Sequence, residues 1–144
     1  GEVLGLKRKC VFDDYVVINN SLQDINGKMV DTPPKTAAGK REITITRDLS
    51  SDLKKRFNSG KIVSFDGYIF QSKNGTPLRP NQIERAWKSI LLLASVPHKK
   101  FHVLRHTHAT QLLANGVPLL EVSKRLGHSR DSHTLELYGH AILN

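Results

Sequence analysis

The spacing of apolar residues changes once along this chain, from alternation to helical periodicity, and that change limits the possible folds more than composition does. Residues 11 to 46 carry strand signals: Tyr15-Val16-Val17-Ile18 is β-branched and aromatic, and Ile43 and Ile45 alternate with Thr44 and Thr46. Asn26-Gly27 is a strong hairpin signal, and Thr32-Pro33-Pro34-Lys35-Thr36 followed by Ala37-Ala38-Gly39-Lys40 marks a lysine-bearing turn. Together these predict a small antiparallel β-sheet. Leu49, Leu53 and Phe57 then recur at i, i+4, i+8 up to Asn58-Ser59-Gly60, which is one amphipathic helix and its stop. Short strands are expected near Ile62-Val63 and Tyr68-Ile69-Phe70, with a turn at Asn74-Gly75. From Asn81 onward the pattern is helical. Ile83, Trp87, Ile90, Leu91 and Ala94 share one face of a helix that ends before Pro97. A second helix runs from about His102 to Ala114 and is closed by Asn115-Gly116, and a third lies between Pro118 and Gly127. A last one runs from about Asp131 to Ile142, capped by Ser129 or Asp131. Strands first and helices after imply an α+β fold in a single domain, 1–144, without repeat or linker. The opening Glu2-Val3-Leu4-Gly5-Leu6-Lys7 reads as the end of a helix that starts upstream.

Charge narrows the partner. With 22 Lys+Arg against 13 Asp+Glu, the 144 residues carry +9, an excess that favours a polyanion because cations neutralising phosphates release condensed counterions. Nucleic acid fits better than an anionic membrane, since no long amphipathic basic helix is evident. No apolar run approaches the roughly 20 residues of a membrane span, and no signal peptide opens the chain. The lone Cys10 offers neither an internal disulfide nor a cysteine zinc cage. The expected location is the cytoplasm.

All seven histidines lie between His98 and His140. His102 and His106 are spaced i, i+4 as in helical zinc sites, with His108 near, but Val103-Leu104-Arg105 between them brings a fixed cation and no carboxylate. A histidine-metal nuclease is thus an alternative, although no acidic cluster suits paired Mg²⁺ ions. A different grouping explains more. His102 and Arg105 are i, i+3, so a planar fork suited to phosphate oxygens and an imidazole able to donate or accept a proton can face one ligand. The same spacing fits a surface arginine beside a packed histidine. His128, in Gly127-His128-Ser129, should sit on a loop between helices, where either catalysis or simple capping is possible. Tyr15 and Tyr68 lie among β-formers and should pack. Tyr138 lies near a helix end where Gly139 can break the helix, so its phenol could be presented to a ligand or packed amphipathically. With a reference pKa near 10, a nucleophilic tyrosine needs cations or a base beside it. Lys35, on the predicted turn, could swing onto a substrate and deliver a proton or remain solvated. Lys40-Arg41 and His98-Lys99-Lys100 resemble backbone-positioning charges, so Lys40, Arg41, Lys99 and Lys100 are candidate DNA contacts.

Taken in order, these residues resemble one family. Phe101-His102-Val103-Leu104-Arg105-His106-Thr107-His108-Ala109-Thr110, Gly116-Val117-Pro118, Leu126-Gly127-His128-Ser129 and Thr134-Leu135-Glu136-Leu137-Tyr138-Gly139-His140 are similar to the C-terminal half of a tyrosine recombinase of the phage-integrase type. Thr32-Pro33-Pro34-Lys35-Thr36 through Arg41-Glu42-Ile43 resembles that family's lysine hairpin, and Tyr68-Ile69-Phe70 through Gly75-Thr76-Pro77-Leu78 the stretch between. The resemblance implies a small antiparallel sheet packed against a mainly helical catalytic domain of the DNA breaking-rejoining type. It also implies a nucleophile at Tyr138, a clamp arginine at Arg105 with His102 beside it, His128 where the family has His or Trp, and a general acid at Lys35. Val103 departs from the Asp of many relatives at a non-catalytic position. The family has a further arginine shortly before the Gly-Glu that is Gly1-Glu2 here, so a catalytic domain lacking its first residues and the upstream core-binding domain is expected, with impaired cleavage. The implied reaction is site-specific recombination, as in integration and excision by phages and other mobile elements. Tyr138 would attack a DNA phosphodiester to give a 3′-phosphotyrosine and a free 5′-hydroxyl, with no ATP and no cofactor. Partners would be double-stranded DNA and further copies of the chain, four on two sites, with no small-molecule substrate. The alternative from a binding class is a helical DNA-binding module without chemistry.

Overall fold

A computed structural model of the chain describes residues 1–34, 36–59, 64 and 66–128. It divides into two compact units, one of residues 1–35 and 40–83 and the other of 36–39 and 84–144. The fold is α+β. The strand predicted at Ile62-Val63, the helix predicted from Asp131 to Ile142, Lys35 and Tyr138 lie outside the described residues.

The first unit holds α1 (Glu2–Gly5), the strands β1 (Tyr15–Ile18), β2 (Ser21–Ile25), β3 (Lys28–Thr32) and β4 (Arg41–Thr44), and α2 (Arg47–Asn58). The expected single sheet is two separate antiparallel ladders, β1 with β4 and β2 with β3. β1 and β4 pair Tyr15 with Thr44 and Ile18 with Arg41, and β2 and β3 pair Ser21 with Thr32 and Ile25 with Lys28. The hairpin joining β2 to β3 turns at Asn26-Gly27, both at positive φ (51° and 79°), the type I′ geometry that matches strand twist. A strand at Tyr68–Phe70 is not formed. Lys7 with Tyr68 and Gln71 with Pro77 make isolated bridges instead, because the backbone there curves round the Asn74-Gly75 turn after a single pairing.

Helix α2 starts where the Thr46 side chain accepts the Leu49 N–H at 3.2 Å, with Asp48 in its first turn and Lys55 and Arg56 in its last, matching the helix dipole. Its inward stripe is Ser50 and Phe57, both buried, with Leu53 half-buried; Leu49, expected inside, is 47% exposed. Ser50 displaces it by donating from its hydroxyl to the Phe12 carbonyl at 2.6 Å, which turns the helix by about one residue. Phe57 is wholly buried in a core with Leu6, Cys10, Val11, Val16, Ile18 and Ile69.

The second unit contains most of α3 (Pro80–Leu93), then α4 (Val103–Ala114) and α5 (Leu119–Leu126). Ala109 and Leu113 of α4 pack on Val122 and Leu126 of α5, with Leu112, Val117 and Leu119 at the margin. Pro118 lies one position before α5 and Gly127 one after it, as the sequence indicates. No helix among the described residues is long and apolar enough to cross a membrane.

Candidate active site

The loop before α4 is held by a residue the sequence marks only as part of an apolar stripe. Trp87 of α3 donates its indole N–H to the Lys99 carbonyl at 2.7 Å and meets Phe101 edge-on at 5.6 Å between ring centroids. An indole buries much apolar area yet keeps one donor, so it can pin a loop backbone while packing. His98, Lys99 and Lys100 stand exposed on that loop, leading directly into α4.

His102 occupies the cap position of α4, with helical backbone angles and no capping bond from its side chain. The imidazole lies at the positive end of the helix dipole, edge-on to His106 with centroids 5.2 Å apart. Although the residue is exposed, partial desolvation first, then the charges of Arg105 and His106, lower its pKa from the ordinary histidine value of 6.5. The neutral ring, able to accept a proton, is therefore favoured near neutral pH.

One turn on, the half-buried Arg105 donates from Nη2 to the Leu126 carbonyl at 2.5 Å. That carbonyl belongs to the last turn of α5, where backbone acceptors lack helical partners. The chain then reverses through Gly127 in the left-handed region (φ 73°, ψ 30°), with Gly127 N–H to Lys124 O at 3.0 Å and His128 N–H to Ser123 O at 3.1 Å. This is a Schellman turn, which only a residue tolerant of positive φ closes cheaply. Arg105 is thus tied to the turn from which His128 emerges half-buried, and His102 starts the helix that carries Arg105. His102, Arg105 and His128 all lie in the second unit, where Arg105 is bonded to the Leu126 carbonyl. Two further residues join them, Arg125 donating from Nε to Nε2 of His108 at 3.0 Å. The sequence gives no local signal for that pair, since 17 positions separate its members.

The charges fall out differently from expectation. Arg41 makes a two-pronged ion pair with Glu2, both contacts at 2.9 Å, and its side chain is only 9% exposed. It joins β4 to α1 and is not displayed to a polyanion; a pairing across 39 positions is invisible to local reading. Lys40, Lys99 and Lys100 are exposed. Within the second unit the described acids are Glu84 and Glu121, the latter 3.9 Å from Lys124, so cations predominate round α4 and α5. Among the described residues no three His, Cys, Asp or Glu side chains cluster as a metal set.

A guanidinium, a histidine at a helix start and a second histidine just past a helix end thus lie in one unit of an α+β fold. The chain belongs to the phage integrase family, whose sequence pattern matches residues 2–143. A tyrosine recombinase XerC-like protein of Caldanaerobacter subterraneus subsp. tengcongensis is 34% identical over 164 residues, covering 99% of this chain and 42% of that protein. The ICEBs1 integrase of Bacillus subtilis is 30% identical, covering 100% and 42%. The chain thus spans well under half the length of these two relatives. Among solved structures, the Tn1549 transposon integrase in complex with a circular intermediate DNA superposes with a TM-score of 0.75 at 24% identity, over 95% of this chain and 48% of that one. XerA recombinase gives a TM-score of 0.70 at 21% identity, over 96% and 47%. These two likenesses support the fold.

Proposed function

We propose that the chain is the catalytic domain of a site-specific DNA recombinase that cuts and rejoins DNA through a phosphotyrosine. The observation that carries this reading is the bond from Arg105 to the Leu126 carbonyl, which ties a phosphate-binding fork to the turn bearing His128. Family membership and the names of the relatives, recombinases and integrases, agree with it.

In this reading the Tyr138 phenol attacks the scissile phosphorus, its proton passing to a neutral imidazole, a role for which His102 is suited. A bond forms from the phenolic oxygen to phosphorus and the bond from phosphorus to the 5′ oxygen breaks. Lys35 protonates that oxygen, giving a 5′-hydroxyl and a 3′-phosphotyrosine. Arg105 and His128 hold the non-bridging oxygens, where charge develops in the transition state. Rejoining is the reverse step with another strand's 5′-hydroxyl, so bond energy is conserved in the ester. Lys40, Lys99 and Lys100 steady the duplex by its phosphates. Cutting four strands calls for four copies on two DNA sites, acting in the cytoplasm.

The test uses a library of nicked duplexes of random sequence. The wild-type chain should become covalently attached to a subset in denaturing gels, and Tyr138→Phe should abolish attachment while keeping duplex affinity within about twofold, since only a hydroxyl is removed. Binding without attachment by both forms would identify a DNA-binding module instead. Attachment-free cleavage abolished by EDTA would identify a metal nuclease.

A further inference from the structure

Two hydrogen bonds join α4 to the last turn of α5, and they leave from neighbouring positions on both helices. Arg105 Nη2 reaches the Leu126 carbonyl at 2.5 Å, and Arg125 Nε reaches His108 Nε2 at 3.0 Å. Arg105 and His108 are i, i+3 and so lie on one face of α4. Arg125 and Leu126 are consecutive, the side chain of one and the backbone of the other pointing back to that face. Beneath them Ala109 and Leu126 are buried together, so the contact is founded on packed apolar surface. Accepting at Nε2 requires His108 to be neutral, with its proton on Nδ1. The contact itself is exposed, and partial desolvation, then the Arg125 charge, lower the His108 pKa, which is the direction that acceptance needs. Directly beyond this contact come Gly127 and His128.

We propose that Arg125 and His108 are positioning residues, a latch that fixes the end of α5 so that the Leu126 carbonyl orients Arg105 and the Gly127 turn holds His128 in register with it. What Arg105 and His128 do to DNA rests on the function proposed above; the latch itself rests on the two bonds. Misplacing a reacting group by about 1 Å can cost on the order of 10²-fold in rate, and loss of the Arg125–His108 bond should cost about tenfold.

The experiment takes the full 144-residue chain. His108→Phe keeps a ring and removes the acceptor; His108→Gln retains an acceptor at nearly the position of Nε2. Nitrogen-15 NMR reports the Arg105 Nε–H and His128 ring signals, free and titrated with inorganic phosphate, and covalent capture is timed on a duplex recovered from the nicked library. His108→Phe should shift both sets of signals and slow capture about tenfold, with duplex affinity kept within about twofold; His108→Gln should restore both. Unmoved Arg105 and His128 signals in His108→Phe would overturn the latch, as would a loss that His108→Gln fails to repair. Should His108→Phe fail to fold, Arg125→Gln removes the other partner and is judged by the same criteria. Wild-type capture tests the recombinase reading separately, and the NMR comparison decides the latch whether capture is fast or slow.

Discussion

His102 and His108 show how a single residue's setting sets its chemistry. Both side chains are exposed, yet partial desolvation lowers the pKa of each below 6.5, assisted at His102 by Arg105 and His106 and at His108 by Arg125. The unfolded chain therefore binds protons that the folded chain resists, and stability must rise with pH across the window between the lowered values and 6.5. It is fully present above that window and lost as pH falls through it. Urea unfolding followed from pH 7.5 to 5 should show this decline, and His108→Gln should make it shallower. Ser95 illustrates the backbone instead. It closes α3 at φ 55°, with its N–H on Leu92 O at 3.1 Å and that of Val96 on Leu91 O at 2.9 Å, a turn suited to glycine. Left-handed geometry costs a side-chain-bearing residue about 1–2 kcal/mol, partly offset by the greater freedom of unfolded glycine, about 0.4–1 kcal/mol. Ser95→Gly should therefore stabilise the fold by roughly 0.5–1 kcal/mol in thermal or urea melts.

At the scale of elements, legibility followed the range of the interaction. The ends of α4 and α5 were readable because Asn115-Gly116, Pro118 and Gly127 act on their own backbone, and the β2–β3 hairpin was readable because Asn26-Gly27 does the same. Partition of the strands into two ladders was not, because it depends on which strands pair across the chain: β1 passes over its sequence neighbour and selects β4. The exposure of Leu49 has a similar origin, since a hydrogen bond between Ser50 and Phe12, 38 positions apart, sets the rotation of α2. In the candidate site, His102, Arg105 and His128 stood out by residue type and spacing, whereas the bond from Arg125 to His108 needed the α4–α5 packing to exist first. The α5 terminus is the element on which most depends. Gly127→Ala should cost about 1–2 kcal/mol through the positive φ alone. Because the strain falls on the turn after Leu126, the Arg105 Nε–H signal should shift as well. An alanine variant of unchanged stability would mean that the turn relaxes without effort.

For the molecule as a whole, the excess of nine positive charges gains meaning only after the structural pairs are set aside. Arg41 is the clearest case, since its guanidinium is 9% exposed and paired with both oxygens of Glu2, so it is expected to serve the fold and not a phosphate. Lys40, Lys99 and Lys100 are exposed, and under the function proposed above they are the cations that release counterions from DNA. The logarithm of duplex affinity should fall against the logarithm of salt concentration with a slope near −0.9 per phosphate neutralised. Lys99→Ala with Lys100→Ala should make that slope shallower by about 1.8, and Lys40→Ala by about 0.9. Arg41→Ala should leave the slope in place and lower folding stability instead, by roughly 1–3 kcal/mol, because it strips Glu2 of a charge-assisted pair. Fluorescence anisotropy across a salt series, beside urea melts of the same proteins, separates the two kinds of cation. A slope that flattened in Arg41→Ala as much as in Lys40→Ala would show that the ion pair opens to let DNA in, and that α1 and β4 part when it binds.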